Sequence, residues 1–71
     1  MNSRPRLFLD LQDRAYRTLL RAGAGKDAAL DLATEIAESV MVAVKAGLET
    51  EPEDYFRLLI EETLAGAEGQ R

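Results

Sequence analysis

Seventy-one residues make one domain, of a size that buries only about 60% of the surface its unfolded chain exposes. With no Cys and no His, the chain excludes disulfide staples, the usual Cys/His zinc sites and any nucleophile–base pair built on those residues. An apolar fraction of 46% beside 31% charged residues fits a folded domain, and no apolar run approaches the ~20 residues that cross a bilayer.

The net charge of −4 is unevenly placed. Residues 1–25 carry five Arg against Asp10 and Asp13, a balance of +3, whereas residues 26–71 carry four basic and eleven acidic side chains, a balance of −7. A basic first segment beside an acidic remainder suits charge pairing within or between chains. It does not suit nucleic-acid binding by the whole domain. The only apolar run near the start, Leu7-Phe8-Leu9 ahead of Asp10, is too short for a signal peptide, so a cytoplasmic protein is expected.

Two breaks, Ala22-Gly23-Ala24-Gly25 and Ala46 to Pro52, divide the chain into three helical segments. The first spans about residues 5–22. At 100° per residue, Phe8, Leu9, Leu11, Ala15, Tyr16, Leu19, Leu20 and Ala22 fall on one side, with Asp10, Asp13, Arg14, Arg17 and Arg21 on the other. Asp10 with Arg14 and Asp13 with Arg17 stand in the favourable i,i+4 order, each contributing about 0.2–0.5 kcal/mol.

The second helix spans about 26–46. Ala29, Leu30, Leu32, Ala33, Ile36, Ala37, Val40, Met41, Ala43 and Val44 fill one half, and Asp27, Asp31, Thr34, Glu35, Glu38 and Lys45 most of the other. Val42 interrupts the polar arc, so Val40–Val44 is apolar all round, a pattern that predicts burial on every side. Leu32 to Ser39 resembles the opening of a helix-turn-helix in its Leu-Ala, aliphatic-small and Ser spacing. However, no glycine turn follows, and Val40 to Val44 offers no side chain able to hydrogen-bond a base edge. One continuous helix is the better reading.

The third helix spans about 51–65. Thr50 and Glu53 have the spacing of a capping box, and Pro52 suits a first turn. Tyr55, Phe56, Leu59, Ile60 and Leu64 make its apolar side, and Leu58 points away from it. The small, polar residues 66–71 predict a fraying tail. The fold class is therefore all-α: a long antiparallel helical hairpin plus a shorter third helix, forming a homodimeric helical bundle.

No catalytic set emerges. Carboxylate pairs need a cleft that three short helices hardly provide, so no enzyme, small-molecule substrate, cofactor or metal is expected. The acidic stripe Asp27, Asp31, Glu35 and Glu38 reads as a solvated face, or as the counterpart of Arg14, Arg17 and Arg21. A single core this small seldom supplies more than about 3–5 kcal/mol, and these segments own more apolar side chains than one protomer hides. The sequence thus predicts a dimer seam at Ile36, Val40, Met41, Val42, Val44 and Leu58. A partner-binding surface is expected at Tyr16, Arg14, Arg17, Arg21 and Tyr55. The expected function is that of a bacterial or phage regulator (an inhibitor, anti-activator or adaptor) that binds a larger protein. The alternative is a dimeric DNA-binding transcriptional regulator using the Arg4–Arg21 side.

Overall fold

The computed structural model describes the backbone of residues 4–47 and 51–69, and the side chains of residues 6–47 and 51–66. Three helices account for nearly all of it: α1 (Arg4–Arg21), α2 (Lys26–Lys45) and α3 (Pro52–Gly69). Among the described residues there is no strand.

The first break is built by two glycines with different tasks. Gly23 takes φ +103°, which an L side chain rarely adopts, and ends α1. Its N–H bonds the Leu20 carbonyl at 3.0 Å, and the Ala24 N–H bonds the Leu19 carbonyl at 3.0 Å, the paired 5→2 and 6→1 bonds of a Schellman motif. Gly25 then holds extended backbone at the N-cap of α2 and accepts the Ala29 N–H at 2.8 Å. Gly47, at φ +73°, ends α2 in the same left-handed way, its N–H bonding the Val44 carbonyl at 3.1 Å.

α2 runs unbroken through Leu32–Ser39, as a chain without a glycine or proline there should. The C-terminal helix differs from its predicted extent. It continues to Gly69 and, at 18 residues, matches α1 in length rather than being the shorter element. Gly66 does not take positive φ, so nothing turns the chain out of the helix at the point where fraying was predicted. Residues 70–71 and Thr50 of the proposed capping box lie outside the described residues.

The core explains how the layers form. Ala15 of α1 and Ala29, Ala33 and Ala37 of α2 all have zero exposure. Small residues at a helical interface let two backbones approach closely, so α1 and α2 form a tight hairpin. Leu11 and Leu19 from α1, Ile36 and Val40 from α2, and Phe56 and Ile60 from α3 supply the volume around that seam. A side-chain bond tightens it, as the Gln12 amide donates to Thr34 Oγ1 at 2.8 Å while the Thr34 hydroxyl donates to the Leu30 carbonyl at 2.8 Å. α3 lies against the hairpin through the Phe56, Ile60 edge.

Several apolar residues lie outside this core. Leu9, Leu30, Val42 and Leu58 are exposed at 60%, 49%, 65% and 47%. Within one protomer the Val40–Val44 segment is not buried all round: Val40 and Ala43 are buried, Met41 and Val44 are half-buried, and Val42 faces outward. One protomer surrounds only the side of α2 that meets α1 and α3.

With so few large side chains inside, each contributes heavily. Leu19→Ala should cost about 2–5 kcal/mol, a large share of what a core of this size provides. Urea unfolding followed by circular dichroism checks this, and a cost below about 1 kcal/mol would mean that the Leu19 site collapses around the deletion.

Candidate functional site

The basic stripe of α1 is largely spent inside the protomer. Arg14 Nη1 donates to Glu53 Oε1 at 2.8 Å and Nη2 donates to Oε2 at 2.6 Å, a two-pronged carboxylate clasp joining α1 to the first turn of α3. Nη1 also reaches Asp10 Oδ2 at 3.4 Å, one turn earlier on the same helix. The guanidinium lies 4.9 Å from the centroid of the Phe56 ring, within cation–π range. Arg17 pairs with Asp13 at 3.3 Å. Arg21 is exposed, and among the described residues it forms no ion pair.

These contacts show in the protonation equilibria. The hydrogen bonds from Arg14, then its charge and that of Arg57, hold the Glu53 carboxyl below its ordinary range against a smaller opposing effect of desolvation. The hydrogen bond to Glu53 and, after it, the two carboxylate charges raise Arg14 further still, with desolvation pulling the other way. Glu53, in the first turn of α3, ties that helix to α1.

α2 and α3 enclose an open groove of about 450 Å³, lined by Glu35, Glu38, Ser39, Val42, Ala43 and Tyr55. Val42, Ala43 and Tyr55 make an apolar floor. Glu35 and Glu38 form an acidic rim on α2. Leu58 follows Tyr55 at i+3 and extends the apolar floor outward over α3.

The predicted seam residues therefore separate. Ile36 and Val40 belong to the protomer's own core, at 5% and 0% exposure, and offer no surface to a second copy. Val42 lines the groove and Leu58 adjoins it. Met41 and Val44 are half-buried and pack against the core. The predicted partner-binding set also divides. Tyr55 lines the groove, Arg14 is held by Glu53, Arg17 by Asp13, and Tyr16 is half-buried on another side of the hairpin.

Within the protomer, the acidic stripe of α2 does not meet the arginines of α1. Among the described residues, no ion pair links Asp27, Asp31, Glu35 or Glu38 to Arg14, Arg17 or Arg21. Nor do three or more carboxylates converge on a point where a metal ion would sit, again among the described residues. No described helix is long and apolar enough to cross a membrane. Comparison with protein-family models, with curated proteins and with solved structures finds no match to this chain.

Sequence reasoning had signals for part of this site. Val42 and Leu58 were visible as apolar breaks in polar arcs. The Arg14–Glu53 clasp was not, because 39 residues separate its partners and no local spacing connects them.

Because the clasp is half-exposed, its energetic value is modest. Glu53→Gln should cost about 1 kcal/mol or less at neutral pH. The folded-state pKa of Glu53 is lowered, so its contribution is complete where a free glutamate is ionised, above about pH 5, and vanishes as pH falls through the lowered value. Urea titrations at neutral and acid pH should show wild type and Glu53→Gln converging in acid. A gap that stays constant with pH would assign the loss to packing rather than charge.

Proposed function

We propose that this chain is a small non-enzymatic regulator of the inhibitor, anti-activator or adaptor kind. In this reading it works as a homodimer and docks on a larger protein through the α2–α3 groove. The observation that carries the reading is the groove itself. Val42, at 65% exposure, stands in an open apolar trough beside Tyr55 and is continued by Leu58. Exposed apolar surface that is contiguous and rimmed by charge commonly marks an interaction site. An amphipathic helix laid in a groove is a standard way to fill one.

The rim selects the occupant. With Glu35 and Glu38 along its α2 side, the complementary partner is an amphipathic helix with aliphatic anchors and lysine or arginine flanks. Binding to a duplex receives less support, because two of the arginines that such binding needs are already paired with Glu53 and Asp13. Counter-ion release scales with the arginines free to contact phosphates.

An isotope-labelled sample titrated with a synthetic leucine–lysine amphipathic helix tests the groove. Backbone shifts should cluster at Ser39, Val42, Ala43 and Tyr55, and Val42→Asp should weaken binding by about tenfold or more. That substitution adds negative charge, so a loss cannot be electrostatic. Shifts scattered over all acidic residues and unchanged in Val42→Asp would remove the groove reading. Retention on duplex DNA near 50 mM salt would restore the nucleic-acid one.

A further inference from the structure

The start of α3 is held on two sides of one buried edge. Phe56 and Ile60, about 40° apart around the helix, are both buried and form the edge of α3 that faces the hairpin. Glu53 lies about 60° from Phe56 on one side of that edge, and Tyr55 about 100° from it on the other. The contacts follow this division. Glu53 reaches α1, where Arg14 holds both of its carboxylate oxygens at 2.8 and 2.6 Å. Tyr55 turns toward α2 and lines the groove with Val42 and Ala43. Phe56 sits between them in the core, with the Arg14 guanidinium 4.9 Å from its ring centroid.

These contacts resist different motions. Burial of Phe56 and Ile60 opposes lifting α3 off the hairpin. It opposes a small rotation of α3 about its own axis much less, because hydrophobic attraction is non-directional and a slight roll keeps both side chains against the core. A two-pronged guanidinium–carboxylate contact is directional and does oppose that rotation. The leverage falls to Arg14 because α3 packs more extensively on α2 than on α1. Arg57 also attracts the Glu53 carboxylate, but it stands on the same helix, and a force between two residues of one helix cannot fix how that helix is turned.

We infer that Arg14 is a positioning residue for the α2–α3 groove: by gripping Glu53 on the α1 side it sets the roll of α3, and with it how far Tyr55 leans over Val42 and Ala43. The consequence for binding rests on the groove reading of the proposed function. A basic amphipathic helix then binds best when the clasp is closed. Neither Arg14 nor Glu53 lines the groove, so their steric influence on an occupant passes through α3. The coupling is reciprocal, because an occupant that favours one roll of α3 favours the closed clasp by the same factor.

Arg14→Gln, Glu53→Gln and the double variant of the full chain test this with two readouts. The first needs no ligand. Nuclear Overhauser contacts from the Tyr55 ring to the Val42 and Ala43 methyls should weaken in all three variants, while far-UV circular dichroism stays at the wild-type level. The second is affinity for the synthetic leucine–lysine helix. Arg14→Gln makes the protein more acidic and Glu53→Gln makes it less so, so a long-range charge effect would move the two affinities in opposite directions. A positioning role weakens both, by about three- to fivefold for a half-exposed pair, and the double variant binds no worse than either single one, because the clasp is lost only once. Tyr55 contacts that stay unchanged in the single variants overturn the inference, whether or not a helix binds. Affinities that move in opposite directions, or losses that add in the double variant, overturn the coupling to the groove. A wild type that binds no helix removes the groove reading, and the Tyr55 contacts then decide the role of Arg14 by themselves.

Discussion

The close approach of α1 and α2 across Ala15, Ala29, Ala33 and Ala37 governs the rest of the molecule. Four side chains with zero exposure occupy the middle of the hairpin, yet each fills little volume. The two backbones pack tightly for that reason, and the space between them cannot hold the larger residues the helices also carry. Leu11, Leu19, Ile36 and Val40 find room next to the seam, while Leu9, Leu30 and Val42 are left around the outside. A hairpin built on alanine is thin, and a thin core leaves apolar side chains on its surfaces.

The two surfaces of that hairpin then acquire different characters. α3 occupies one side, oriented by the Arg14–Glu53 clasp and by the seating of Phe56 beneath the guanidinium. The groove that α3 makes with α2 carries Glu35 and Glu38 on its α2 side and Tyr55 on its α3 side.

Local chemistry made most of the fold legible. Glycine at Gly23 and Gly47 ends the first two helices with left-handed geometry, as the spacing of apolar residues before each required. The i,i+4 pairs Asp10–Arg14 and Asp13–Arg17 form as their order on the helix predicts. Periodicity located the apolar side of each helix but overestimated how much of it one protomer hides. Leu9 and Leu30 lie on the apolar arcs by angle and still face water, because no third helix reaches their side. Periodicity set Ile36 and Val40 on the apolar half of α2 and Val42 in its polar arc, and a neighbour stands over the first two and not over the third.

Residue order alone determined the all-helical character, the positions of the first two helix stops, the absence of a His- or Cys-based catalytic set and the surplus of apolar side chains. Those properties depend on contacts within about one helical turn, or on which residue types the chain contains. Tertiary structure alone decided how much of each apolar arc is core and how much is surface, and that Arg14 clasps Glu53 of α3. Each of these depends on where α3 lies, and a single clasp across 39 residues, which no local pattern encodes, helps to set that position.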